Sequence, residues 1–407
     1  VGFSRRALNA LAVILATLPG AAAEPADMPA GGCEYSDSHF HLTNYVQEGI
    51  TASRFLEIMG NRVCRSTLFG IPLQQQWSWR VTRDVAPTYY LDTDAPLYYY
   101  SFTDAYIAQA YRALAPAQQA RLDPMITGFN PTDMYAADHI RRVLQTFPGV
   151  FTGIGEFTIH KEFVSAKVAG DVASLHDPAL DRILDFAGEV GLVVILHNDI
   201  AMPFPKEGQT RQYYDDLKAV LRRHPLTRII WAHLGVGRII QPLRNHGAFI
   251  EEMLNDPAFE HVYFDISWDE VAKYMVETPD TVRFSAAFLE RHSDRVLFGT
   301  DTVAPATPEK YYAVIAKFAP VLDLLTPEAR ARILRTNYER VFDEGRRRVR
   351  AWEAANPPDS AAPPPTPASG LREAASVRPE PIPAPAAVGG TRAARHDGKS
   401  PGDSDDE

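Results

Sequence analysis

Between Cys33 and Arg350 the chain alternates short apolar or β-branched runs with longer stretches whose apolar positions recur every three or four residues. The short runs predict eight strands: Tyr35–His41, Val63–Ile71, Pro124–Phe129, Val150–Phe157, Leu192–His197, Arg228–His233, His261–Ile266 and Arg295–Asp301. The stretches between them read as amphipathic helices. "DPALDRILDFAGEVG" is the clearest: Asp177 caps, Pro178 takes the first turn, and Leu180, Ile183, Leu184 and Ala187 form one apolar stripe that stops at Gly191. "NPTDMYAADHIRRVLQTFPGV" repeats the same order of helix, stop and strand.

Strands alternating with helices imply a parallel sheet with right-handed crossovers. Eight such strands close a (β/α)8 TIM barrel, an α/β fold. The other arrangement, an open doubly wound sheet, usually carries a glycine-rich phosphate loop after its first strand. Here "HLTNYVQEG" follows instead.

Both ends of the chain depart from this pattern. Residues 1–23 carry Arg5 and Arg6, a short apolar run from Ala7 to Leu18, and Ala21-Ala22-Ala23 before Glu24. This reads as a signal peptide cleaved after Ala23, its apolar run too short for a bilayer-spanning helix. Ser4-Arg5-Arg6-Ala7-Leu8 is also close to a twin-arginine export signal; either route predicts a periplasmic or secreted protein with no transmembrane span once mature. Residues 356–407 hold 11 of the 32 prolines and no aromatic residue, a composition that predicts a disordered Pro/Ala-rich tail. Residues 33–350 are then one barrel domain. A formal charge of -10 argues against a nucleic-acid partner. Cys33 before the first strand and Cys64 at the start of the second lie at neighbouring strand starts, and an oxidising compartment lets them form a disulfide.

The chemistry starts at "YSDSHFHL", residues 35–42. In an extended strand Asp37, His39 and His41 share one face. A lone H-x-H is a weak signal, so the remaining strands decide. Glu156 ends strand 4 in "GIGEF", His197 ends strand 5 in "VVILHND", His233 ends strand 6 in "IIWAHLG", and Asp301 ends strand 8 in "VLFGTD". Barrel active sites sit at the C-terminal ends of the strands. His39, His41, Glu156, His197, His233 and Asp301 are therefore the candidate metal ligands, with His233 and Asp301 also candidate catalytic groups.

This set of motifs, together with "VYFDISW" in strand 7 and "ILRTNYERVF" near the end of the domain, resembles the amidohydrolase superfamily, in particular its metal-dependent hydrolases of amidohydrolase type 2. The resemblance covers Cys33 to Phe342. It implies a divalent metal, one or two ions, held by His39 and His41 with His197 or Glu156. It implies that metal-activated water attacks a carbonyl or phosphorus centre, that Asp301 takes the proton and returns it to the leaving group, and that His233 binds a second ion or polarises the substrate oxygen. Nitrogen-rich ligation suits zinc. Many two-metal members carry a modified lysine where Glu156 stands, and some a glutamate, whereas decarboxylases of this branch usually keep one metal and no bridge. Glu156 thus tilts the reading towards two metals and hydrolysis of a small amide, ester, lactone or phosphoester. A metal-dependent decarboxylase is the enzymatic alternative, and a non-catalytic envelope-binding barrel the other.

His160 and Lys161 follow Glu156 and read as loop residues. Between Ile71 and Phe102 lies an aromatic-rich insertion after strand 2, with Trp77, Trp79, Tyr89, Tyr90 and Tyr98 to Tyr100. It forms either a wall over the barrel mouth or packing for the insertion itself. Trp77, Trp79 and Arg238 are the candidate substrate contacts.

Overall fold

The computed structural model describes residues 32–43, 49–71, 75–77, 91–92, 102–161, 164–168, 171–204 and 211–358. The chain divides into a unit of residues 1–358 and one of residues 359–407; the second, like the leader read in residues 1–23, lies outside the described residues. So do Trp79 and the tyrosines of the insertion, and of Trp77 only the backbone is described.

Eight parallel strands follow one another in sheet order: β1 Tyr35–Asp37, β2 Val63–Leu68, β3 Leu122–Ile126, β4 Gly153–Lys161, β5 Val193–Asn198, β6 Ile229–Trp231, β7 Val262–Asp265 and β8 Val296–Leu297. The last returns to the first. Ser38 N–H donates to the Phe298 carbonyl (3.0 Å), Asp301 N–H donates to the His39 carbonyl (2.7 Å), and Thr302–Val303 runs parallel to Phe40–His41. This is the TIM barrel expected from the alternating pattern. Cys33 and Cys64 are disulfide-bonded across the starts of β1 and β2, with Cα atoms 5.2 Å apart.

The strand interiors show why the sequence folds this way. On β5, Val193 and Ile195 point inward, where they meet Met125, Ile230, Tyr263 and Leu297, while Val194 and Leu196 join the outer layer under the helices. Tyr338, Val341 and Phe342, from the helix Asn337–Ala355, close the inner cluster from below. The next inward position on β5 is His197, so one alternation plugs the barrel and supplies the site. The helix Pro178–Val190 forms as its pattern predicts: Asp177 accepts the Ala179 N–H, Gly191 ends it at φ 87°, and the stripe Leu180, Ile183, Leu184 and Ala187 is buried.

Several strand ends differ from the sequence expectation: β6 stops at Trp231 and β8 at Leu297, so that His233 and Asp301 lie in the left-handed turns just beyond them, and two further segments depart more deeply. The first strand is not continuous from Tyr35 to His41 but breaks at Ser38–His39 and resumes at Phe40. Asp37 is the physical reason. Its carboxylate accepts the His39 N–H (3.0 Å), the Thr300 N–H (2.8 Å), the Thr300 hydroxyl (2.7 Å) and the Tyr311 hydroxyl (2.7 Å), which turns it away from the two histidines and onto the end of β8. The second is β4, which runs through His160 and Lys161 instead of ending in a loop. Its last residues pair antiparallel with Val164–Val168, and that hairpin meets Gln75–Trp77 of the insertion.

Candidate metal centre

The C-terminal face of the barrel brings seven side chains into one cluster. His39, His41, Glu156 and Asp301 form one group whose ligand atoms all lie within 4.8 Å; Glu156, His197 and His233 form another, and His39, His233 and Asp265 a third. All six sequence-predicted ligands are here. Glu156 reaches in because β4 and β5 run unusually close at Gly155: a Cβ there would lie 2.2 Å from the Ile195 carbonyl oxygen, and φ is 112°. Only glycine fits such an approach.

Glu156 divides its carboxylate between the groups. Oε2 faces His39 Nε2 (3.7 Å) and His41 Nε2 (3.5 Å), whereas Oε1 faces His197 Nδ1 (2.5 Å) and His233 Nε2 (3.4 Å). Asp301 Oδ1 lies 3.1 Å from His41 Nε2 and 3.4 Å from His39 Nε2. Burial works to raise both carboxylates; Lys161, His197 and His233 hold Glu156 well below the usual carboxylate range, and His39, His41 and His233 do the same for Asp301.

Each imidazole is oriented from outside by its other nitrogen. His39 Nδ1–H donates to Asp265 Oδ2 (3.0 Å) and His41 Nδ1–H to the Gly70 carbonyl (3.4 Å). His197 Nε2–H donates to Asp199 Oδ1 (3.2 Å). His233 Nδ1–H donates to Ser267 Oγ (2.8 Å), whose hydroxyl passes the chain on to Asp265. Asp265 also accepts the His233 backbone N–H (2.8 Å), which fixes that residue in a left-handed conformation at φ 57°. With the outer nitrogens so engaged, the four inner nitrogens face the cluster, where each takes up a proton or, in its place, a cation. His39 Nε2 is buried without a hydrogen-bond partner, and His197 Nδ1 meets Glu156 Oε1 as two acceptors that only a proton or a cation can join. A divalent cation fits this donor set.

Sequence reasoning missed Asp265, Ser267 and Asp199. Asp265 ends β7, and the positional rule that singled out His233, two residues past the end of β6, finds it too. Arg238 stands outside the cluster. Its guanidinium lies 5.7 Å from the Trp268 ring, and that indole lies 5.3 Å from His233. Lys161 Nζ approaches the same indole at 5.6 Å.

A family model described as amidohydrolase matches residues 36–343, more than half of the chain and every residue of the cluster. The chain belongs to the amidohydrolase family. No curated protein matches it. Solved structures of similar fold include a 2,6-dihydroxybenzoate decarboxylase from Rhizobium (14% identity over 77% of this chain and 98% of that one, TM-score 0.48). An amidohydrolase from Burkholderia multivorans with bound zinc (14% identity, 76% and 99%, TM-score 0.47) and an uncharacterised TIM-barrel protein from Bordetella bronchiseptica (15% identity, 76% and 99%, TM-score 0.47) are others. The protein is thus an amidohydrolase-superfamily enzyme with a candidate metal site at the C-terminal face of its barrel. Among the described residues, no helix of this amidohydrolase is long and apolar enough to cross a membrane.

Proposed function

We propose that this amidohydrolase is an exported hydrolase that uses a divalent ion, zinc by its nitrogen-rich ligands, to split a small amide, ester, lactone or phosphoester with water. The observation that carries this reading is the division of Glu156 between two ligand groups, with Asp301 at the rim of the first. An ion bound there acidifies water and polarises a substrate oxygen. The protein's own groups do the rest. Asp301, the most exposed carboxylate of the set at 10%, accepts a proton from the attacking water and hands it to the leaving group. His233, whose Nε2 faces Glu156 Oε1 at 3.4 Å and Asp301 Oδ2 at 4.0 Å, would bind an ion or polarise the substrate oxygen. Trp268 and Arg238 line the mouth beside it, where they orient the substrate.

Export is supported by the leader-like residues 1–23 and by the Cys33–Cys64 bond, which an oxidising compartment maintains. The test is a panel of amides, esters, lactones and phosphoesters run on enzyme loaded with zinc, beside aromatic carboxylates assayed for released carbon dioxide. Hydrolysis that disappears on chelation and returns with metal is expected. Release of carbon dioxide without hydrolysis sinks the hydrolase reading in favour of the decarboxylase. Recovery of the protein from the cytoplasmic fraction alone refutes export.

A further inference from the structure

The two ligand groups that share Glu156 are not electrically equivalent. The group on Oε2 has two carboxylates, Glu156 and Asp301, facing the Nε2 atoms of His39 and His41. The group on Oε1 has that oxygen close to both His197 and His233, with Asp301 Oδ2 more distant at 4.0 Å from His233 Nε2, and Oε1 already has a cation beside it: Lys161 Nζ lies 3.8 Å away. Lys161 is no surface lysine. It is 8% exposed, ends the extended part of β4, is held in the hairpin by its pairing with Val164, and sets its ammonium against Trp268. Whereas Asp265 and Ser267 orient rings, Lys161 brings positive charge against the cluster.

We propose that Lys161 supplies the second positive charge of this centre, so that one divalent ion binds tightly on the His39–His41–Asp301 side while the ammonium opposes a second on the His197–His233 side. This rests on the reading of the cluster as a metal centre and sets its stoichiometry. Two effects act together. A cation within about 4 Å of a carboxylate offsets that carboxylate's attraction for a further cation, and a divalent ion at the second position would face the ammonium at close range in a buried, weakly screened site. Lys161 also presents its charge beside Trp268, where an ammonium would be available to a substrate oxygen in the role that a second metal would otherwise supply.

The test is metal stoichiometry on the whole chain. Wild type, Lys161→Met, Lys161→Gln and Lys161→Arg are titrated with buffered free zinc, ions per chain are counted by elemental analysis, and circular dichroism confirms that each variant is folded. The wild type is expected to fill one site at least 100-fold more tightly than any second. In Lys161→Met and Lys161→Gln the second ion should tighten by about tenfold or more, while Lys161→Arg, which keeps the charge, follows the wild type. Two ions of matching affinity in the wild type overturn the proposal, and so does a Lys161→Met titration that superimposes on the wild type. A wild type that binds no ion at all refutes the metal-centre reading itself, a result distinct from either.

Discussion

The two ends of the barrel both bury charge, and they do so differently. At the N-terminal end, Asp123 on β3 is fully buried, yet its oxygens are satisfied on every side: Arg65 reaches it at 2.7 Å, Arg346 at 2.6 Å and the Tyr338 hydroxyl at 2.8 Å. Burial alone would raise its pKa; the two arginines keep it below the usual range. The charges there are complete within the protein. At the C-terminal end, carboxylates meet imidazole lone pairs, and a buried ring nitrogen has no donor to bond. A satisfied ionic cluster ties β2 and β3 to the C-terminal helix. The other cluster faces inward with bonding capacity that a cation would satisfy. Barrels divide stability and chemistry between their faces in this way.

The contrast is open to mutation. The largest effect is expected from Asp301→Asn. Asn tolerates the left-handed φ of 50° at this position, so the fold should hold, while turnover falls by about 10²–10⁴-fold because an amide cannot take and return a proton. Melting temperature and single-turnover rate measured together decide it; near-normal turnover removes Asp301 from the chemistry. Asp123→Asn should do the reverse. It removes the buried charge that Arg65 and Arg346 share, although Arg65 keeps Asp343 and Arg346 keeps the Leu122 carbonyl, at a cost of about 1–3 kcal/mol that lowers the melting temperature while the folded fraction keeps its specific activity. Loss of activity with unchanged stability would collapse the distinction between the two ends. Asp265→Asn should fall between these, weakening metal affinity by about 10–100-fold through the loosened His39 and His233 rings, as read by zinc titration.

The smallest effect concerns His246, which donates from Nε2 to the Leu234 carbonyl (2.9 Å) beside His233. Burial pushes it down to about 4, so between its unfolded pKa and that value the unfolded chain takes a proton that the folded one refuses. Stability should therefore be intact above about pH 6.5 and decline as pH falls towards 4. Melting curves at pH 7 and pH 5 should diverge less in His246→Gln than in the wild type; equal divergence clears His246 of this role.

Much of the site could be read from position alone. His39, His41, Glu156, His197, His233 and Asp301 each close a short apolar run, and a barrel places those ends together. Asp265 obeyed the same rule but read as family pattern, because an acid at a strand end has no metal-like neighbour in sequence to mark it. The break in β1 was not legible, since the groups that capture Asp37 lie 263 and 274 residues further along the chain. Lys161 reads as a loop residue because the apolar run ends at Phe157; its hairpin partner Val164–Val168 does alternate, V-S-A-K-V, but is only five residues long and follows after a two-residue gap. Local periodicity finds elements; partners distant in sequence decide where they stop.

The seam between the first and eighth strands has a consequence for how the enzyme matures. Asp37 and His39 are among the earliest residues of the domain to leave the ribosome, and Thr300, Asp301 and Tyr311 among the last. A nascent chain that has not yet released residue 301 can form helices and pair its early strands, but its imidazoles lack Asp301 and its barrel stands open. A metal held with Asp301 would therefore be acquired only after nearly the whole domain is translated.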